Sequence, residues 1–331
     1  RLSRRAGSQC AHAAALPWSL AGLVALRQRP QLPIGVTSVA VNHVVHVLST
    51  WTFVPVPACM LIASAVLYLW AAHTVSRRRP DASWSPLLTT SFLSGLAMVW
   101  IVILGPIGAY DDTFFWAHMI QHLVLMMLAA PLLLLGGPVL LVLRVSSRDF
   151  RRKYVVPVLR SRVLAVLSHP VVSWVLFAGV LVGTHFSPFF DYSLRHPLVH
   201  EYVEHPLYLG VALLFYYPLL AGNPAPGRLS PGGRVISLFL MMLPETMTGF
   251  FIYASGYLLY PFYGTVDRSF GPSPLVDQQL AGSLMWSGSM LIDSVWVSLA
   301  VMEWLRSEER LSHRVDLETL AANPLPMSTL Q

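Results

Sequence analysis

Apolar residues in this chain run nearly unbroken for about 20 positions at a time, without the alternation of a half-buried strand or the stripe of a soluble helix. Such runs cover roughly residues 54–75, 87–108, 114–135, 170–189, 199–221, 235–257 and 280–304. A bilayer core takes about 20 apolar residues of helix. Backbone polar groups in lipid are satisfied only within helices or closed barrels, and barrel strands would be about ten residues long and alternate in polarity. The pattern therefore predicts an all-α, polytopic membrane bundle of about seven transmembrane helices. Residues 1–50 are expected to form a leader or external segment, in which "AALPWSLAGLVAL" is too short to span and is broken by Pro17. Residues 51–305 form the membrane domain and residues 306–331 a tail.

Composition agrees. The 331 residues are 55% hydrophobic and 11% charged, against about 25% charged in soluble domains, and the mean hydropathy is +0.58. A soluble multi-domain enzyme fits poorly. A pI near 9.5 raises nucleic acid as a partner, but the basic residues lie between the apolar runs, where they orient a membrane protein; the bilayer, not nucleic acid, is the expected partner. Arg77, Arg78 and Arg79 follow the first run. Arg144, Arg148, Arg151, Arg152, Lys153, Arg160 and Arg162 follow the third, Arg228 and Arg234 precede the sixth, and Arg306, Arg310 and Arg314 follow the seventh. The alternate loops hold only Arg195 and Arg268. The positive-inside rule puts the C-terminus in the cytoplasm and the N-terminus outside. Five leader arginines run against this, although long N-terminal segments translocate largely regardless of charge. Cys10 and Cys59 form no CxxC, so neither a disulfide framework nor a thiolate metal site is indicated.

That topology collects imidazoles at one depth. His118 and His122 fall in the outer half of the third run, His185 at the outer end of the fourth, and His200 and His205 at the outer start of the fifth, with His196 just before it. At about 100° per residue, His118 and His122 lie about 40° apart, one turn above the other, as in helices that chelate a metal. His200 with Glu204, and Glu201 with His205, repeat the spacing. Ionisable groups in membranes usually face a bundle interior or cavity, and neutral imidazole is the commonest metal ligand. A lone membrane histidine more often makes an interhelical hydrogen bond; several at matching depth favour a metal or haem site. Imidazole suits copper, zinc and iron, and thioether favours Cu(I). Among 12 methionines, Met247 and Met285 are the better-placed ligand candidates. Glu204 and Asp277 are expected to orient imidazole N–H groups, with Gln278 beside Asp277. Glu245, after Pro244, and Asp293 are expected to share a polar core near mid-membrane. His43 and His46 read as an external turn, and His12, His73, His169 and His313 as surface residues.

Competing motifs fall short. "HEYVEH" (200–205) has Glu204 where HExxH needs histidine and Glu201 where HxxEH needs one, so a zinc hydrolase is weakly indicated. No phosphate-binding glycine loop occurs. A metal-dependent membrane enzyme and a bis-histidine haem electron carrier are the alternatives to a metal-handling protein without catalysis.

Several segments, in order, resemble the CtaG-type cytochrome c oxidase assembly proteins, a seven-helix membrane family. "AHMIQHLVLMMLAAPLLLLGGP" resembles that family's HMxQH helix with its Pro and Gly-Pro turn. "THFSPFFDYSL", "HEYVEHPLYLGVALLFYYPLL", "MMLPETMTGFFIY" and "YPFYG" are similar to its later helices. "DQQLAGSLMW" is similar to the start of its seventh helix, with Ser283 where a second glycine is common. The likeness covers residues 51–304. It implies a non-enzymatic role in maturing cytochrome c oxidase in a bacterial plasma membrane, with oxidase subunits or other assembly factors as partners and copper handled at the outer face. The matching positions are His118, Gln121, His122, His185, His200, His205, Asp277, Gln278 and Met285.

Overall fold

A computed structural model describes residues 49–78, 80–220 and 229–322, all helix and connecting loops without strands. The leader with Cys10, His12, His43 and His46, together with Arg79, Arg228 and tail residues 323–331, lies outside the described residues. A compact unit begins at Thr50.

Proline starts most of its helices. Helix α1 is Pro55–Arg78, α2 Pro86–Leu104, α3 Phe115–Val145, α4 Pro170–His185 and α5 Phe189–Arg195. Helix α6 covers 197–216, α7 is Pro231–Ala254, α8 Pro261–Thr265, and α9 runs over 274–322. Proline suits the first helical turn, where an N–H would lack a partner anyway. Short helical turns link α3 to α4.

Among the described residues, five helices are long and apolar enough to cross a membrane: α1, α2, α3, α7 and the Pro274–Val315 part of α9. Counting α4 and α5 as one bent crossing makes six. The seven apolar runs differ from this at two places. The run 170–189 breaks before Pro188, which cannot extend the preceding helix, and α5 leaves α4 at 68°. The run 199–221 is α6, whose first turns carry Glu201 and Glu204 and lower its apolar character.

One interior proline is compensated locally. Pro131 in α3 leaves the Met127 carbonyl without its helical donor, and Trp296 Nε1 of α9 donates to that oxygen at 2.9 Å. Within α7, Thr248 Oγ1 makes an ordinary i−4 back-bond to the Pro244 carbonyl at 2.7 Å, which leaves the Leu240 carbonyl, the one Pro244 deprives of a donor, unaffected. Wide, π-type turns occupy Val124–Ala129 of α3, His200–Glu204 of α6 and Leu284–Gly288 of α9; such turns often occur at functional sites.

Helices α1 and α2 pack on α3, while α7 packs against α4 and α9. A Cβ on Gly249 of α7 would lie 2.6 Å from Trp286 N of α9, so glycine lets these backbones touch. Tyr68 of α1 donates to the Gly136 carbonyl at 2.7 Å and accepts from Trp84 Nε1 at 3.1 Å. The following Gly137 sits at φ 62°, the left-handed conformation that glycine adopts without strain. Large apolar side chains such as Trp70, Ile236, Phe251 and Leu291 face outward, as a lipid-facing surface requires. The polar residues are inside, where α3, α5, α6 and the loop 105–114 meet.

Candidate metal centre

His118 and His122 sit one turn apart on α3, their rings edge to face with centroids 4.2 Å apart, both buried. Facing them is Glu204 of α6, fully buried. Its Oε1 lies 3.3 Å from His118 Nε2 and 3.4 Å from His122 Nε2. These contacts lack hydrogen-bond alignment, so all three atoms are buried without a hydrogen-bond partner. Glu204 Oε2 accepts a hydrogen bond from Ser193 on α5 and pairs with His200 Nδ1 at 2.8 Å. The bend between α4 and α5 thus brings Ser193 into the site, together with Phe190, whose ring centroid lies 4.8 Å from that of His118.

The polar set continues outward. His200 Nε2 lies 3.2 Å from Asp111 Oδ2. Burial opposes ionisation of Asp111, but the hydrogen bond to His200 and the neighbouring imidazoles hold its carboxyl below the ordinary carboxylate range. Gln121 Nε2 donates to the Val102 carbonyl at 2.8 Å, which turns its Oε1 toward His205 Nε2 at 3.0 Å. That leaves His205 Nδ1 bare, 3.6 Å from Glu201 Oε2. Two triads have ligand atoms mutually within 4.8 Å: Asp111–His200–His205 and His118–His200–Glu204. Buried polar atoms nearly always have partners, so the bare nitrogens and carboxylate oxygen fit a cation shared among them. Imidazole and carboxylate together suit copper, zinc or iron.

Five predicted imidazoles share this interior, but not as one shell. His185 packs beside His122, ring centroids 5.8 Å apart, and its Nδ1 is bound to the Leu181 carbonyl at 2.7 Å. It faces a separate small cavity below the cluster, as does buried Met285. His196 is exposed and stacks on Tyr192. Met247 lies 46% exposed on the outer face of α7, away from the cluster, because the α7 stripe facing inward carries Met241, Glu245 and Thr248 instead.

Among the described residues, neither Asp277 nor Gln278 hydrogen-bonds or ion-pairs with an imidazole. Asp277 accepts from Phe115 N at 2.9 Å and Trp116 N at 3.0 Å, and pairs with Arg268 Nη1 at 2.9 Å. It caps α3 from another helix, since Phe114 at the α3 N-cap offers no side-chain acceptor. Gln278 braces the loop before α8, accepting from Leu259 N and donating to the Tyr257 carbonyl. Glu204, expected to orient imidazoles from outside the ligand set, itself lies against His118 and His122 and pairs with His200. Asp111 was missed: it sits in a loop, where no helical spacing marks it, and "YDDT" just ahead of the histidine helix was its only signal.

Residues 66–307 match the family described as cytochrome c oxidase caa3 assembly factor (Caa3_CtaG). Uncharacterized proteins of Mycobacterium bovis and Mycobacterium tuberculosis are each 31% identical over 280 residues, covering 82% of this chain and 42% of theirs. One from Mycobacterium leprae is 27% identical over 281 residues, covering 83% of this chain and 42% of its own. The chain thus spans less than half the length of these curated relatives. No solved structure matches it. A family match of this extent falls on the helices that carry the buried cluster, and the chain belongs to the cytochrome c oxidase caa3 assembly factor family.

Proposed function

We propose that this protein is a non-enzymatic, membrane-embedded assembly factor that holds a copper ion among His118, His122, His200 and Glu204, with Asp111 and His205 beside them, for delivery to cytochrome c oxidase. One observation carries this reading: Glu204 Oε1 and the Nε2 atoms of His118 and His122 converge, buried, without hydrogen-bond partners. Open coordination by the bare imidazoles of His118 and His122 and a carboxylate, with His200 held between Glu204 and Asp111, suits a carrier, which must release what it binds. Haem is disfavoured by space. The imidazoles crowd to ring separations of 4.2 to 5.1 Å, and the adjoining cavity of about 20 Å³ accepts an ion or a water but no macrocycle.

In the same reading the chain crosses a bacterial plasma membrane seven times, with α4–α5 and α6 as the additional crossings, the N-terminus outside and the C-terminus in the cytoplasm. Arg78 Nη1 donates to the Val145 carbonyl at 2.8 Å, which ties the ends of α1 and α3 to one side, the arginine-rich one. At the opposite side Thr52 N donates to the Leu104 carbonyl at 3.0 Å. The partners are oxidase subunits or other assembly factors.

The test is metal content of the purified protein, with and without His118→Ala/His122→Ala, alongside oxidase activity in a deletion strain grown with and without added copper. The double variant is expected to lose the bound metal and to fail to restore oxidase. Undiminished copper together with full restoration refutes the assignment.

A further inference from the structure

Just below the cluster, toward mid-membrane, is a cavity of about 20 Å³, room for one ion or one water. Its walls combine two imidazoles, His122 and His185, with four thioethers, Met119, Met126, Met127 and Met285, and a carboxyl, Glu245. His185 is set up as a ligand here. Its Nδ1–H is engaged by the Leu181 carbonyl at 2.7 Å, so the lone pair of a neutral ring is on Nε2. That nitrogen has no partner, and the residue is 2% exposed.

Glu245 supplies the charge. It is 3% exposed, beside the equally buried Asp293 of α9. Glu245 and Asp293 share a side-chain hydrogen bond, so one of the two is protonated and the pair carries at most one negative charge; Glu245 Oε2 and Asp293 Oδ2 have no hydrogen-bond partner, and neither carboxyl meets an arginine or lysine among the described residues. A carboxyl at such depth needs a proton or a cation.

The donor set differs in kind from the one above it. The upper cluster offers imidazole and carboxylate. The lower cavity offers thioether sulfur as well, which selects soft ions such as Cu(I), with a single carboxylate to balance a single positive charge. We propose that this cavity is a second, separate cation site, selective for a soft monovalent ion, with His185, Met285 and Met126 as ligands and Glu245 as counter-charge. His122 lines both sites and is where an ion would change between them. The proposal deepens the copper-handling reading and rests on it only for the identity of the cargo.

The test uses the full chain purified in detergent, titrated with Cu(I) against a chromophoric chelator and, separately, with Zn(II). The wild type is expected to bind two equivalents of Cu(I) and one of Zn(II). Its Cu(I) X-ray absorption should contain sulfur scatterers. Met126→Leu/Met285→Leu, a nearly volume-conserving exchange, should lose one Cu(I) equivalent and the sulfur signal while keeping the Zn(II) equivalent. Glu204→Gln should do the reverse, losing Zn(II) and keeping sulfur-ligated Cu(I). A wild type whose Cu(I) shows no sulfur, or is unchanged by the methionine substitutions, overturns the second site; a single Cu(I) that shows sulfur and is lost in the methionine variant counts against the upper site alone. If Glu204→Gln leaves Zn(II) binding intact while the methionine variant still loses its Cu(I), the upper-site reading fails and the lower site stands.

Discussion

Asp277→Ala tests whether this carboxylate serves the metal cluster or the fold. In the wild type, one fully buried side chain satisfies two N–H groups at the start of α3 and neutralises Arg268, which is itself 8% exposed. Removing one partner of a buried ion pair costs about 3–5 kcal/mol. A buried donor left unpaired costs about 1–3 kcal/mol. These penalties overlap and are not summed. Arg268 also keeps the Pro272 and Tyr263 carbonyls as acceptors, which places the expected loss near the lower end, about 3 kcal/mol. Reversible unfolding of the purified protein in mixed micelles would measure it. Arg268→Met in the Asp277→Ala background removes the stranded charge, so the double variant should recover part of the loss, with a coupling of about 1–3 kcal/mol. Metal affinity of the folded fraction should change little, because Asp277 pairs with no imidazole among the described residues. Stability within about 0.5 kcal/mol of wild type, together with a tenfold loss of metal affinity, would refute the capping role and return Asp277 to the histidines.

Glu204→Gln keeps the side-chain shape but removes the charge and one acceptor oxygen; Zn(II) or Cu(II) affinity by competition titration should fall at least tenfold, toward the roughly 10–100-fold typical of lost support around a metal. Tyr68→Phe strands the Gly136 carbonyl and Trp84 Nε1 and should destabilise by about 1–3 kcal/mol in micelle unfolding, with metal binding unaffected. Gly249→Val drives a side chain into the backbone of α9 at Trp286 and should cost about 1–3 kcal/mol or more, read as lower resistance to detergent unfolding. Ser283→Gly should change neither stability nor metal binding beyond about 0.5 kcal/mol, because Ser283 Oγ serves only its own helix at the Leu280 carbonyl.

Much of the architecture was legible before any coordinates, because lipid leaves a chain few choices. Long apolar runs must be helices where no water can satisfy the backbone. The His118–His122 stripe was equally legible, since helical period alone puts two imidazoles on one face. Apolar length could not register two departures: the break before Pro188 and the charged first turns of α6.

The composition of the site was a tertiary matter. Periodicity says which residues share a face of one helix but not what that face meets. Glu204 reads as a supporting residue along α6, yet the packing of α6 on α3 puts its carboxylate between two histidines of another helix. Asp277 reads as an imidazole partner by depth, but the uncapped N–H groups of α3 claim it, and backbone donors leave no mark in a sequence. His185 and Met285 were grouped with the cluster by expected depth, yet side-chain direction turns them toward a different cavity from His118 and His200. Which residues share a helical face was thus set by the chain itself, whereas which polar atom faces which was decided only when the helices packed, because that depends on contacts between elements far apart in sequence.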